Sequence, residues 1–252
     1  MEASIKQRLT VDAAAPSTLR RPARAFWLGR VGYDEAQSLQ KWCVAERQAG
    51  RIPDTLLLLE HPPTYTIGRS GGEQNLLVSE AEIVAAGGSV HRVDRGGDIT
   101  YHGPGQLVGY PILDLNDHYR DAHRYLRELE EALIRLVAEH GLTGGRIEGL
   151  SGVWLGNEKV AALGVHLSRW VTSHGFALNV TTDLKDFDRI VPCGIRDHGV
   201  TSLERVLGRA LPLEAVAERA AFHLAELFAL DLADGLVATT PPRLMTEDAT
   251  RG

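Results

Sequence analysis

Cysteine is scarce in this chain: 252 residues contain only Cys43 and Cys193. Two thiols cannot build a disulfide framework and leave no CxxC pair for zinc or thiol redox chemistry, so reduced thiols in the cytoplasm are expected. Long apolar runs are missing as well. No stretch approaches the roughly 18 apolar residues of a membrane-spanning helix. Lys6, Arg8 and Asp12 stand where a secretory signal needs its apolar stretch, so neither membrane insertion nor export is expected. A basic excess is also lacking. Lys and Arg number 27 against 33 Asp and Glu, a formal charge of −6, which counts against a nucleic-acid binder. The signatures GxGxxG, GxxxxGK[ST] and HExxH are absent, which weakens dinucleotide, phosphate-loop and zinc readings.

What is present is apolar side chain, 44% of residues against 24% charged, enough to bury one large core. Residues 1–24 carry Ala13, Ala14, Ala15, Pro16, Arg20, Arg21 and Pro22 without sustained periodicity and are expected to form a mobile, basic tail. Residues 25–230 are assigned to one domain and 231–252 to a C-terminal tail. An amphipathic helix is predicted from Asp34, as its N-cap, to Gly50, with Leu39, Trp42 and Cys43 on its apolar face. Residues 55–60 (TLLLLE) form a short buried strand, and 79–86 a short helix stopped by Gly87 and Gly88. Strands are expected over 90–94 and 107–113, with a glycine-rich loop between them. A longer helix carries Leu126, Leu129, Leu133, Leu136 and Val137 and stops at Gly141. Residues 152–155, 159–167 and 173–180 suggest successive antiparallel strands, the first two joined at Gly156 and Asn157. Thr201 and Glu204 have capping-box spacing, and Pro212 opens a last helix. Helices mixed with strands joined by turns and crossovers predict an α/β fold, a mixed sheet flanked by helices.

Three places could carry chemistry. Residues 95–106 (RGGDITYHGPGQ) crowd glycines among Arg95, Asp98, Thr100, Tyr101, His102 and Gln106, a backbone able to approach a ligand closely; a long β-connection that happens to be glycine-rich is the plainer alternative. Cys193 lies between Pro192 and Gly194, which force an irregular backbone able to present a thiol, although a lone cysteine is often an inert core residue; Cys43 keeps that plainer role. A thiol nucleophile needs a histidine or a cation, and His61, His91, His102, His166, His174 and His198 are all available without a diagnostic spacing. Lys159 begins an otherwise apolar strand, as a solvated strand end or as that cation.

Residues 61–68 (HPPTYTIG), 95–106, 159–164 (KVAALG), 174–179 (HGFALN) and 192–195 (PCGI) occur in an order and at spacings that resemble the lipoyl(octanoyl) transferases, also called lipoate-protein ligase B, from about Arg24 to about Leu230. The resemblance implies the catalytic fold of biotin and lipoyl protein ligases. It implies that Cys193 carries octanoate as a thioester, with Lys159 as its activating partner. The substrate-binding positions it implies are Arg95, Gly96, Gly97, Asp98, Ile99, Thr100, Tyr101 and His102, then Ala162, Leu163 and Gly164, then Gly175, Phe176 and Ala177. Octanoyl-acyl carrier protein is the implied donor, and a lysine of the lipoyl domains of 2-oxoacid dehydrogenases or of the glycine cleavage H protein the acceptor. Neither ATP nor a metal is required, and a monomer is expected. Leu163, Val165 and Phe176 are candidates for the acyl slot, and N–H groups of the glycine-rich loop or near Gly194 for holding an oxyanion. An acidic carrier protein would need a local basic patch, for which Arg69, Arg92 and Arg95 are candidates, joined by Arg20, Arg21 and Arg24. The rivals are an ATP-dependent ligase, which has no need of Cys193, and a non-catalytic acyl-binding module.

Overall fold

The computed structural model describes residues 20–195, 197–241 and 243–245. Most of the expected N-terminal tail, including its lysine and Arg8, lies outside the described residues. The chain runs β1 (Arg21–Arg30), α1 (Tyr33–Gln48), β2 (Asp54–Glu60), β3 (Thr64–Ile67), α2 (Glu80–Ala85), β4 (Ser89–Arg92), β5 (Ile99–His102), β6 (Gln106–Ile112), α3 (Leu115–His118) and α4 (Ala122–Ala138). It continues through β7 (Gly144–Ile147), β8 (Leu150–Leu155), β9 (Glu158–Ser168), β10 (Val171–Asn179), β11 (Gly199–Val200), α5 (Leu203–Leu207), α6 (Leu213–Phe228), β12 (Leu230–Asp231) and β13 (Leu236–Ala238).

The expected mixed sheet flanked by helices is found. Its order is β12-β1-β2-β6-β10-β9-β8-β7, with β11 added beside β9 and β13 beside β1. β1 pairs in parallel with β2, whereas β2, β6, β10, β9 and β8 are antiparallel in turn. The run of leucines in β2 follows from burial on both faces. Leu56 and Leu58 pack with Leu129, Leu133 and Leu136 of α4 and Leu224 of α6, while Leu57 and Leu59 pack with Leu39 and Cys43 of α1. A second sheet, β4-β3-β5, covers a smaller core of Tyr65, Ile67, Ile83, Ile99 and Tyr101.

Several boundaries move. β1 begins at Arg21, inside the segment expected to be tail, because its backbone has β2 to pair with. β12 and β13 likewise extend the sheet beyond residue 230, and Leu244 is buried. α1 is capped by Gly32 rather than Asp34, which instead lies in its first turn, and α5 is capped by Ser202, whose Oγ accepts from Arg205 N at 3.2 Å, rather than by Thr201. The glycine-rich loop is interrupted by β5, which is antiparallel to β3.

Candidate active site

The glycine-rich segment, Cys193 and Lys159 all contribute to the wall of one cavity of about 280 Å³. Cys193 sits in a short 3-10 turn, Pro192–Gly194, at φ +56°, a left-handed conformation that side chains other than glycine seldom adopt. Gly194 follows at φ +69°, and a Cβ there would stand 2.9 Å from Asp98 Oδ2. The turn closes on itself: Gly194 N donates to Val191 O and Ile195 N to Pro192 O, both at 3.0 Å. Those two N–H groups are therefore engaged and do not serve as the oxyanion donors expected near Gly194. Asn75 clamps the turn from outside, its carbonyl accepting from Val191 N at 2.8 Å and its amide donating to Asp98 Oδ2 at 2.5 Å.

Lys159 enters from β9. A bulge in the β8–β9 pairing, between Val153 opposite Ala161 and Trp154 opposite Lys159, re-aims the strand at this point. The lysine is 6% exposed, its ammonium lies 4.9 Å from the centre of the Trp154 ring, and Nζ donates to Cys193 Sγ at 3.3 Å. β11, which follows the cysteine turn, pairs in parallel with Glu158 and Lys159 and so ties the two segments together.

The strand periodicity of β5 divides the glycine-rich motif. Thr100 and His102 reach the cavity, as do Arg95, Gly97 and Asp98, while Ile99 and Tyr101 point into the smaller core, where Tyr101 Oη donates to Asp186 Oδ2 at 2.8 Å. Those two positions, assigned to substrate by resemblance, thus serve packing. Gly96 does not border the cavity; its N–H donates to Val165 O at 2.9 Å, holding the loop against β9. Ala162, Leu163, Gly164, Gly175, Phe176 and Ala177 all border the cavity, and Val165 does not. Asp98 turns both oxygens inward, toward Ile99 N at 2.6 Å and toward Asn75.

Arg95 is 7% exposed and donates to Thr66 O and Oγ1, each at 2.8 Å, and to Gly96 O at 3.0 Å. Burial holds its guanidinium below its ordinary range. Thr66 in turn hydrogen-bonds His102 Nε2 at 3.3 Å, and His102 Nδ1–H donates to Gln106 Oε1 at 2.9 Å. Burial pushes His102 well below the usual histidine value, so the ring is neutral, one nitrogen donating and the other accepting. Gln106 Nε2 donates to Asn179 Oδ1, Asn179 Nδ2 to Thr201 O, and Thr201 N to the carbonyl of Lys159. A continuous polar chain therefore joins the glycine-rich motif to the lysine strand.

Two aromatic wall residues escaped sequence reading. Tyr33 and Tyr110 line the cavity, and burial raises the former to about 12 and the latter well above the ordinary tyrosine value. Tyr110 Oη lies 2.7 Å from His61 Nε2, while His61 Nδ1–H donates to Val31 O at 2.7 Å; burial lowers this imidazole to about 4. Thr66, part of the 61–68 motif, does not border the cavity and reaches the site only through Arg95 and His102. Tyr33 is the first residue of α1 and Tyr110 lies inside the fully buried strand β6, positions where no pattern distinguishes a wall from a core residue. His174, also on the wall, donates through Nε2 to Asp94 Oδ1 at 3.0 Å.

The proposed basic patch is thinner than the sequence suggested. Arg95 is buried, Arg92 is held by Glu73 and Glu80 at 2.8 Å each, and Arg20 pairs with Glu226. Arg69 remains exposed, beside His166 Nδ1 at 3.3 Å. Cys43 is fully buried in the core under α1. No helix among the described residues is long and apolar enough to cross a membrane.

The family profile of the lipoyl protein ligase A/B catalytic domain matches residues 32–225. An octanoyltransferase of Rubrobacter xylanophilus is 56% identical over 75% of this chain and 85% of its own length. One from Myxococcus xanthus is 47% identical over 88% of this chain, which spans 62% of that longer protein. In fold, the chain is similar to the bi-partite lipoate protein ligase of Thermoplasma acidophilum (TM-score 0.69, 17% identity, 90% of this chain and 91% of that one). It is also similar to the biotin protein ligase of Aquifex aeolicus with biotin and ATP (TM-score 0.52, 16% identity, 81% and 70%). With a profile spanning most of its length and relatives at about half identity, the chain belongs to the lipoyl protein ligase A/B catalytic-domain family, and within it to the octanoyltransferases, which are acyltransferases.

Proposed function

We propose that this protein takes an octanoyl group from octanoyl-acyl carrier protein onto Cys193 and passes it to a lysine of a lipoyl domain. The observation that carries this reading is the 3.3 Å contact between Lys159 Nζ and Cys193 Sγ, both on the wall of a cavity also lined by residues of all three acyl-binding motifs. In the first half-reaction the Cys193 thiolate attacks the donor thioester carbonyl, and the carrier's thiolate departs with the proton of the Lys159 ammonium, which leaves Lys159 as the free amine. One thioester replaces another, so no ATP is needed to drive the step. In the second, the acceptor lysine's neutral amine attacks the acyl-enzyme, Cys193 leaves as thiolate, and the amine's surplus proton passes to the free-amine form of Lys159. Thioester to amide conversion runs downhill. The ammonium of Lys159 stabilises the thiolate at the start and end of the cycle, and the glycine-rich loop at Gly97 is the candidate for holding the oxyanion.

This reading makes the enzyme independent of ATP and metal, a cytoplasmic monomer, with the lipoyl domains of 2-oxoacid dehydrogenases and the glycine cleavage H protein as acceptors. Incubation with octanoyl-acyl carrier protein, without ATP, followed by intact mass measurement tests it. One octanoyl adduct, removed by hydroxylamine, is expected for wild type and Cys43→Ser and none for Cys193→Ser. An adduct that forms only with free octanoate and ATP would instead make the protein an adenylating ligase, and binding without any adduct a silent acyl-binding module.

A further inference from the structure

One buried carboxylate has no part in the chemistry above. Glu130, on α4 between the core residues Leu129 and Leu133, is 2% exposed, and an unsatisfied carboxylate there would be strongly disfavoured. It is satisfied by a divided set of donors. Oε2 accepts from Arg127 Nη1 at 2.7 Å and Arg146 Nε at 2.9 Å; Oε1 accepts from the backbone N–H of Gly152 at 3.1 Å. Gly152 belongs to β8, but the registered pairs with β7 and with β9 both skip it, so the glutamate stands in for a missing ladder partner. Its φ of +129° is open to glycine alone among ordinary residues. A Cβ on Gly152 would lie 2.7 Å from Ala161 O, 3.2 Å from Lys159 Cε and 3.3 Å from Lys159 Cδ. The lysine stem therefore passes across the bare Cα of Gly152, with the Trp154 ring beside its ammonium.

We propose that Glu130 is a positioning residue for Lys159: by fixing Gly152 in its glycine-only conformation it holds open the track along which the lysine reaches Cys193. The inference rests on the reading of Lys159 as the activator of Cys193. It distinguishes the two oxygens of Glu130, one serving stability through the arginines and the other serving the site through Gly152.

The test is the rate of Cys193 carboxamidomethylation by iodoacetamide at neutral pH, followed by mass on the full chain alongside thermal denaturation. Glu130→Ala should slow alkylation on the order of tenfold, the size of coupling found between contacting groups. Glu130→Gln keeps an oxygen for Gly152 N–H and should stay within about twofold of wild type even where its loss of ion pairing lowers the melting temperature. Combined with Lys159→Met, Glu130→Ala should slow alkylation no further, because the track then leads nowhere. Gly152→Ala, which keeps Glu130, should reproduce the Glu130→Ala rate and guards against misfolding of that variant. Unchanged alkylation in Glu130→Ala or Gly152→Ala, equal loss in Glu130→Gln, or full additivity with Lys159→Met would overturn the proposal. If Lys159→Met alone leaves the rate unchanged, the activator reading fails and the proposal falls with it; if Lys159→Met is slow while Glu130→Ala is normal, only the positioning role is lost.

Discussion

Lys159→Met is the perturbation that separates charge from packing most cleanly. Methionine keeps most of the stem that runs between Gly152 and Trp154 and removes the ammonium 3.3 Å from Cys193 Sγ. At that separation, a unit charge pair interacts by about 5 kcal/mol in a medium of effective dielectric about 20. Only part of this survives as a net effect, because burial of Lys159, a residue 6% exposed, opposes it. A charge-assisted hydrogen bond of about 1.5–3 kcal/mol is the reasonable remainder, equivalent to a thiolate population about 10–150 times smaller at neutral pH. Iodoacetamide reacts with thiolate, so its rate at Cys193 should fall by that factor, with fully buried Cys43 as an internal control. Octanoyl transfer from the carrier protein should fall at least as far, since the second half-reaction also loses its proton acceptor. The electrostatic reasoning is refuted if alkylation in Lys159→Met matches wild type within about twofold while the variant remains folded.

Gly194→Ala should abolish acylation with a loss of stability of only about 1–2 kcal/mol, because a side chain at φ +69° is strained and its Cβ would collide with Asp98; a fully active variant would contradict the role given to the turn. The buried neutral His61 binds its proton near pH 4 when folded and near 6.5 when unfolded, so its contribution is present above 6.5 and is lost as pH falls toward 4. That amounts to about 2 kcal/mol by pH 5, and the melting temperature of His61→Gln should vary less over this window than that of wild type. Arg95→Lys gives up the fork that joins Thr66 and Gly96 and should destabilise the fold by about 2–4 kcal/mol in denaturant titrations; unchanged stability would mean that the fork is dispensable. Arg69→Glu should lower the acylation rate at low donor concentration, and the difference from wild type should shrink as the Debye length falls to about 3 Å in 1 M salt; a difference indifferent to salt would exclude steering by this residue.

The elements legible in the sequence were those with one dominant local signal. The leucine run of β2, the apolar stripe of α4 and the tight turn at Gly156 all appear where periodicity placed them, because burial in each case is dictated by the pattern itself. β1 and β13 were missed because neither carries a recognisable period: β1 alternates imperfectly around Arg24 and Trp27, and β13 has three residues whose strand character comes only from pairing with β1. β5 was hidden by the glycines on either side of it. Its four residues, Ile99–His102, are too few for alternation to stand out, and only the facing β3 makes them a strand.

The same alternation limits what a motif can say about roles. Residues 95–102 form one contiguous block in sequence, yet the pleat sends Thr100 and His102 to the cavity and Ile99 and Tyr101 to the smaller core. A contiguous motif therefore marks one local structure, and only the periodicity within it separates residues on the cavity from those that support it. The converse holds for Glu130. In sequence it is one charge among several on α4, three residues from Arg127 and indistinguishable from an ordinary solvated helix pair. What sets it apart is burial beneath β8 and a bond to a glycine distant in sequence, both products of the assembled sheet. Cys193 and Lys159 can be singled out from their neighbours in sequence, and the roles proposed for them come from the family resemblance. The groups that hold them at 3.3 Å are contributed by a helix, a bulged strand and a clamp at Asn75, and become visible only once those elements are packed together.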